Sequence, residues 1–224
     1  GLAALKPEGS AITYDAEKQD FATSYIHKVY ALGTIITMEA QMNNLYRDLV
    51  EKGGKMLKRS LVHTDEQLAA DIINNGYGST VLGDGQPLFS TAHVLGKGGT
   101  FSNRFAAVTA LSQSAVEDAL IAIEDFRDGA GLLIDAKGVS LHIPRQLRFQ
   151  ADRILSSRFE PASGNNAVNP VAQIFPQGYH VNHRFTSATD WFIKTDVEDG
   201  FKCFEAGFEV CKVVAQPYRT DAGC

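Results

Sequence analysis

A pair of histidines near residue 180 has the spacing of a metal site. His180 and His183 form an HxxH pair, but the glutamate that accompanies such pairs in zinc metalloproteases is absent. The surrounding residues predict a strand, on which positions i and i+3 point to opposite faces. We therefore expect two separate histidines, exposed or hydrogen-bonded, and no metal site.

A second group of reactive side chains lies around residue 90. Ser90 and His93 could act as the nucleophile and base of a hydrolase, because such chemistry needs an activated hydroxyl. The GxSxG turn that exposes the nucleophile in many serine hydrolases is absent. We expect a structural role here and keep a small soluble hydrolase as an alternative function.

The remaining acidic and glycine-rich segments do not form recognisable sites. Three carboxylates before Gly200 lack the spacing of a calcium-binding loop and predict a solvated turn; they are Asp196, Glu198 and Asp199. No glycine-rich phosphate loop follows a predicted strand. The sequence therefore predicts no catalytic residue, no cofactor-binding residue and no metal ligand.

Four cations lie within two turns of a predicted helix. Lys52, Lys55 and Arg59 share one face of that helix, and Lys58 lies close to them. A solvated helix face is the interpretation that the pattern favours, and contact with phosphates is the alternative. No RNP, zinc-finger or helix-turn-helix signature accompanies these cations.

The composition is that of a folded, mildly acidic protein. Its 224 residues carry 21 Lys+Arg and 26 Asp+Glu, a net charge of −5, which argues against a dedicated nucleic-acid reader. No apolar run is long enough for a membrane span. The 3 cysteines cannot form a closed disulfide set, which fits a reducing compartment. The start at Gly1, without a methionine or a signal-peptide pattern, is typical of a processed or trimmed end.

The first part of the chain predicts a hairpin that needs a partner. Residues 12–15 and 21–37 are rich in β-branched and aromatic types around a charged turn, which favours two strands. An isolated two-stranded ribbon is marginal in water. The alternative is an ordinary edge hairpin folded on its own domain.

Two helices are predicted next. Thr37 is a predicted N-cap, and an apolar stripe predicts a helix over 38–62. Gly53-Gly54 predicts a bend or a close contact within it. A capping box at 64–67 predicts the start of a second helix, which ends at Asn74-Asn75-Gly76.

The rest of the chain predicts a long loop followed by an α+β unit. Residues 76–104 are glycine-rich, and a loop of this length is expected to be functional or to contact something outside its domain. Ser112 or Ser114 is predicted to cap a helix through about Arg127. The apolar face predicted for that helix carries Val116, Ala119, Leu120, Ile123 and Phe126, and the inward face of the helix predicted after Pro144 carries Leu147, Ala151, Ile154 and Leu155. The further predicted elements are strands at 132–134, 139–143, 172–175, 179–183 and 190–195, a polar loop at 159–170 and a strand-like end at 201–217 that returns to pair with the first part of the chain.

Three spaced stretches carry a resemblance to a known family. They are GDGQPLFSTAH at 83–93 with GGTFSN at 98–103, AGLLI at 130–134 with LHIP at 141–144, and NH at 182–183 with WFIKTDVEDG at 191–200. In this order they resemble the major capsid proteins of tailed phages, including the Mu-like major head subunit group. Together with the predicted hairpin and long helix, the resemblance covers most of the chain.

The resemblance implies an α+β fold of the Hong Kong 97 type. Residues 10–36 would be the extended E-loop hairpin, and its contacts with a neighbouring subunit would fall on Tyr14, Lys18, Phe21 and Tyr25. Residues 37–107 and 201–224 would form the peripheral domain, with the long spine helix at 38–62. Residues 108–200 would form the axial domain at the centre of each capsomer.

The resemblance also implies a structural protein that is not an enzyme. Copies would assemble into the hexamers and pentamers of an icosahedral phage head that encloses double-stranded DNA. Contact with that DNA would be non-specific, with the best candidates on the face that carries Lys52, Lys55, Lys58 and Arg59. Decoration, scaffold, portal and protease proteins are further expected partners, and no membrane is involved. We expect the protein in the virion after assembly in the host cytoplasm, and an encapsulin-type shell around cargo protein is the alternative.

Overall fold

The computed structural model describes residues 5–9, 11–12, 14, 21, 26, 28–43, 46–78, 81–95, 98–129, 131–160 and 167–197, and only the backbone of 46, 201–203 and 213–215. These residues combine helices with small sheets, which fits an α+β class. The helices are α1 (Met38–Met42), α2 (Tyr46–Asn74), α3 (Gln113–Glu124) and α4 (Arg148–Ser156), with a 3-10 turn at Arg145–Leu147. The strands are β1 (His93–Val94), β2 (Thr100–Phe101), β3 (Gly138–Pro144), β4 (Tyr179–Asn182), β5 (Phe192–Thr195), β6 (Phe201–Cys203) and β7 (Val213–Ala215).

The N-terminal arm, residues 5–37, differs from the predicted hairpin. None of its described residues lies in a strand, and this includes the whole of 28–37. The strand prediction is therefore wrong for 28–37, since no sheet of the described chain offers this segment a pairing edge. The predicted charged turn at 15–20, with Lys18, lies outside the described residues, as does Tyr25.

A long helix is present, but the single helix predicted over 38–62 is divided, since α1 ends with Asn43 as its C-cap and α2 begins at Tyr46. Thr37 caps α1 as predicted, and its hydroxyl accepts a hydrogen bond from the Ala40 N–H at 3.4 Å. Helix α2 then runs without interruption over 29 residues, through Gly53-Gly54 and through the predicted second start at 64–67. That capping-box prediction is wrong because the Thr64 hydroxyl donates to the Ser60 carbonyl one turn back (3.0 Å), which leaves the backbone helical. The predicted end at Asn74 is confirmed.

The core of the second half forms around β3. This strand pairs in parallel with β4 and antiparallel with β5, which gives the order β4-β3-β5. Leu141 and Ile143 of β3 are fully buried, together with Val116 of α3 and Ala151 of α4. The inward faces predicted for both helices are thereby confirmed, and Ser112 is the observed cap of α3 through its hydrogen bond from Ala115 N–H at 3.1 Å.

Two predicted strands of this half are wrong. Residues 132–134 form only an isolated bridge between Leu133 and Arg127, because Asp128 folds the segment back onto itself through both its backbone and its carboxylate. Residues 172–175 form a turn with Gln173 at a φ of 57°. The Asn169 side chain stabilises this turn by accepting a hydrogen bond from Val171 N–H at 3.0 Å.

Two small ribbons complete the described structure. Strands β1 and β2 pair antiparallel within the glycine-rich segment, which is otherwise a loop as predicted. Strands β6 and β7 pair antiparallel with each other, and β7 approaches α2. The strand-like end predicted for the chain is therefore present at 201–203 and 213–215, but among the described residues its two strands pair with each other and not with a strand of the first part of the chain.

Candidate assembly surfaces

The N-terminal arm leaves large apolar side chains uncovered. Val29 and Ile35 are 90% and 93% exposed, and Ile26 is 84% exposed. Two of the side chains singled out from the sequence, Tyr14 and Phe21, are also exposed. Scattered single apolar residues on a surface are ordinary, but several large ones within one short segment favour an interaction surface.

The same exposure continues into α1 and the first half of α2. Met38 and Met42 are mostly exposed, as are Leu49, Val50 and Met56 of α2. Helix α1 buries no residue at all. Among the described residues, the apolar stripe that predicted the long helix is therefore largely exposed over this part, which favours a role in an interaction.

The glycine pair of α2 marks where the arm approaches the helix. Gly53 is buried, and a Cβ added to it would lie 3.4 Å from Thr34 Cγ2. Gly54 faces open space. Of the bend and the close contact that the pair predicted, the close contact is present at Gly53, and the helix continues through both glycines.

A groove along α2 collects three of the four predicted cations. It has a volume of about 380 Å³ and is lined by Lys55, Lys58, Arg59, Val62, His63 and Glu66. Lys52 lies outside the lining and is exposed on the same helix. The Lys55 ammonium is 2.7 Å from Glu51 Oε1 in an exposed i, i+4 pair, which is the solvated face that the pattern favoured.

Arg184 contacts two residues that line this groove, His63 and Glu66, and sequence reasoning missed it. Its guanidinium contacts Glu66 and donates to His63 Nδ1 at 2.7 Å, across more than a hundred residues of sequence. Asn74 holds the same segment by donating to the Arg184 carbonyl (3.0 Å) and accepting from Thr186 N–H (3.1 Å). In the sequence, Asn74 indicated only the end of a helix, so its hydrogen bonds to the second half of the chain were not predicted.

The predicted hydrolase pair is buried and stabilises the glycine-rich loop. His93 is 2% exposed; its Nδ1 lies 2.6 Å from Asp84 Oδ2, and its Nε2 lies 3.3 Å from the Leu88 carbonyl oxygen. The Ser90 hydroxyl donates to Gln86 Oε1 at 3.2 Å and does not bond to the imidazole. Because both ring nitrogens already face protein acceptors, the geometry gives no support to a Ser90–His93 nucleophile pair.

Asn103 joins this network from the far end of the loop. Its amide donates to the Leu88 carbonyl at 2.6 Å, and its Oδ1 accepts from Ser90 N–H at 2.9 Å. The His93 ring also stacks on Phe101 with centroids 5.1 Å apart. The stretches at 83–93 and 98–103 therefore hold residues that bond to one another, which gives them a structural role in the folded loop.

The sequence of this chain matches a known protein family over most of its length. The phage capsid protein family matches residues 21–215, most of the chain. The chain belongs to this family. No curated protein and no solved structure is similar enough to be matched. The protein is therefore a structural component of a phage virion, which argues against an enzymatic role for Ser90 and His93.

The predicted histidine pair of this capsid protein is divided between two surfaces. His180 lies opposite His142 on β3, with ring centroids 5.3 Å apart. His183 instead lines a groove with Tyr179 and Val181 on the other face of β4. Within the residues that the structure describes, no three His, Cys, Asp or Glu side chains form a metal-binding group, and no helix could cross a bilayer.

The neighbours of His142 change its proton affinity. Burial lowers the pKa of His142 from its ordinary value, and the nearby His180 and Lys194 lower that pKa further. The ring also lies within hydrogen-bond distance of the Ser140 hydroxyl, with Nε2 at 3.1 Å. This side of the sheet of the capsid subunit is therefore polar and titratable, whereas Leu141 and Ile143 on the opposite side form the core.

Proposed function

We propose that this capsid protein is the major head subunit of a tailed phage and that it has a Hong Kong 97-type fold. In this proposal, residues 10–36 are an E-loop that lies over a neighbouring subunit. Residues 37–107 and 201–224 form the peripheral domain, and 108–200 form the axial domain. The family match over 21–215 and the mixed helix and sheet content support the proposal.

The observation that carries the proposal is the uncovered apolar surface of the arm and α1. Burying one Val, Ile or Met side chain contributes about 1.5–3 kcal/mol, so covering Val29, Ile35 and Met38 favours association strongly. Obligate interfaces often bury more than about 2,000 Å². Tyr14 and Phe21 are exposed in the same arm and would contribute to that contact, together with Lys18 and Tyr25 of the E-loop.

Helix α2 suits the proposed role of a spine. Its 29 residues span about 44 Å at a rise of roughly 1.5 Å per residue. The Asn74 and Arg184 contacts tie its C-terminal half to the segment that follows β4. A rigid strut that is anchored at one end can hold the exposed apolar half in position for a neighbouring subunit.

The assembled state would consist of hexamers and pentamers that enclose double-stranded DNA, formed in the host cytoplasm. Electron microscopy of the purified protein and of lysate tests this proposal. We expect closed icosahedral shells or free capsomers, and nuclease-resistant double-stranded DNA inside shells isolated from infected cells. Shells that hold protein cargo in place of DNA would contradict the phage-head role, and a monomer at every concentration would contradict assembly altogether.

The face that carries Lys52, Lys55, Lys58 and Arg59 is the proposed DNA contact. All four side chains are exposed, and three of them line one groove. Binding of capsomers to random-sequence duplex DNA should weaken with salt, and the double variant Lys52→Ala/Lys58→Ala should lower the slope of log K against log salt by about 2. Lys137→Ala, which removes an exposed cation elsewhere, is the control and should leave the slope unchanged if it does not contact DNA. An unchanged slope in the double variant would remove this face from the proposal.

A further inference from the structure

A groove beside α4 exposes an aromatic side chain between two arginines. It has a volume of about 500 Å³ and is lined by Arg145, Arg148, Phe149, Tyr179, Val181 and His183, which we call the arginine groove. Phe149 is 72% exposed, while Tyr179 and Val181 pack against the core. Among the described residues, neither arginine of the groove forms an ion pair. The groove therefore offers apolar surface together with uncompensated positive charge.

The outer face of α3 offers the opposite charge around a similar apolar centre. Because α3 buries Ala115, Val116 and Ile123, its solvent side is centred on Ile121, which is 66% exposed. Four carboxylates flank Ile121 on that side, and with it they form what we call the acidic patch: Glu117, Asp118, Glu124 and Asp125. Helix α3 contains no Lys or Arg.

The acidic patch is unfavourable for the isolated subunit. Glu124 and Asp125 lie at the C-terminus of α3, where the helix dipole disfavours negative charge. Within the described chain, Asp118 and Glu124 have no cationic partner, and Asp125 pairs only with exposed Arg127 at 3.2 Å. Carboxylates at a helix C-terminus that lack cationic partners within the described chain favour a role in an interaction with another molecule.

We infer that the acidic patch of one copy docks into the arginine groove of the next copy. Ile121 would lie against Phe149, and the surrounding carboxylates would face Arg145 and Arg148. The two surfaces match in charge and in their apolar centres, and both belong to the α+β unit around β3. This inference rests on the proposed function and names the surfaces through which axial domains meet.

The arrangement determines the kind of assembly. The patch and the groove are different surfaces of one chain, so the contact is heterologous and repeats from copy to copy, which closes into a ring when the rotation permits. DNA is the other occupant that a basic groove with an exposed aromatic could take. It would leave the acidic patch with its exposed Ile121 unexplained, so we favour a second copy.

Charge reversal with mixing tests this contact. The variants Asp118→Lys/Glu124→Lys and Arg145→Glu/Arg148→Glu each place like charges at the contact, and we expect each to raise the midpoint concentration of association roughly a hundredfold. An equimolar mixture of the two variants restores opposite charges in both directions, so association should return. Because the two variants must alternate, the mixture should form even-membered rings, seen by light scattering and by electron microscopy.

Controls separate the possible outcomes. Asp135→Lys, a reversal at a carboxylate that is 87% exposed outside the patch, should associate as the unchanged protein does. Thermal unfolding of the dilute variants should show no loss of stability, since all four altered side chains are solvent-exposed, and Glu124→Lys should raise the stability slightly because it places a cation at the C-terminus of α3. Unaltered association of the reversed variants, or a mixture that fails to recover, would overturn the inference while leaving the proposed function standing. Loss of DNA binding with unaltered association would also overturn it in favour of a nucleic-acid groove, and failure of the unchanged protein to associate would overturn the proposed function itself.

Discussion

The sheet unit around β3 and the N-terminal arm treat their apolar side chains in opposite ways. In the sheet unit, Leu141, Ile143 and Val116 are each 0% exposed within a single chain. In the arm, Val29 and Ile35 are 90% and 93% exposed. The sheet unit therefore buries its apolar core within its own residues, whereas the described residues of the arm leave theirs exposed, as the proposed contact with another copy requires. Substitutions in the sheet unit should therefore lower the free energy of unfolding, whereas substitutions in the arm should weaken association.

The largest effect on folding should come from the core of the sheet unit. Replacing Ile143 by Ala removes buried methyl groups and leaves a cavity, which should lower the free energy of unfolding by about 2–5 kcal/mol. The matched substitution Ile35→Ala in the arm should change that free energy by less than about 0.5 kcal/mol. Urea unfolding of both variants measures the difference. Equal losses would show that the arm is buried within the chain.

The second-largest loss of stability should come from the buried hydrogen-bond network of the glycine-rich loop. His93→Ala leaves Asp84 buried without its partner and removes a contact to the Leu88 carbonyl, so we expect a loss of about 2–3 kcal/mol in the free energy of unfolding. His183→Ala, at an exposed histidine, is the control and should be nearly neutral in the monomer. Full stability in the His93 variant would contradict the structural role that we assign to this network.

Alanine substitutions at Gly54 within α2 and at Gly76 just after it should change the stability of the protein in opposite directions. Gly54 faces open space, so Gly54→Ala should stabilise the helix by about 1 kcal/mol. At Gly76 a Cβ would lie 2.6 Å from the Phe89 ring, which is itself packed on Tyr77 and Phe192, so Gly76→Ala should destabilise by about 1–3 kcal/mol. Thermal melts of the two variants should shift in opposite directions, and shifts of the same sign would show that the contact at Gly76 is misplaced.

A smaller effect is expected from pH at the polar side of the sheet. The pKa of His142 is lower in the folded chain than its ordinary value of 6.5, so the unfolded chain binds more protons as pH falls below that value. Protonation of His142 therefore favours the unfolded chain, so the free energy of unfolding declines as pH falls through the window below 6.5. Urea unfolding at about pH 7.5 and about pH 5.5 should show a smaller decline in His142→Gln than in the unchanged protein. An equal decline in the two proteins would contradict the lowered pKa.

Sequence reasoning succeeded where one local rule acts without competition. The Thr37 cap, the inward faces of α3 and α4, and the end of α2 at Asn74 all follow from spacing and side-chain type, whereas the structure was needed to choose Ser112 over Ser114 as the cap of α3. The capping box at Thr64 failed because its hydroxyl bonded to the Ser60 carbonyl inside a longer helix. Such a choice depends on whether tertiary contacts extend the helix, and the local residues do not specify this.

The candidate sites were harder to predict because each combines residues from distant parts of the chain. The cations of α2 were visible as a cluster, but their neighbour Arg184 comes from a segment more than a hundred residues away. The patch on α3 and the groove beside α4 likewise depend on which helix face the core covers. Ser90 and His93 were singled out by residue type, while their actual partners, Gln86, Asp84 and Asn103, became clear only from the folded loop.

The central claim is that the arm and the first half of α2 are stabilised by other copies of the chain. Size-exclusion chromatography with multi-angle light scattering, over a wide range of concentrations, tests it most directly when the unchanged protein is compared with Val29→Ser/Ile35→Ser. We expect the unchanged protein to form capsomers or shells, and the double variant to remain a monomer with an unaltered free energy of unfolding. Identical association of both proteins, or an unchanged protein that stays monomeric throughout, would contradict the claim.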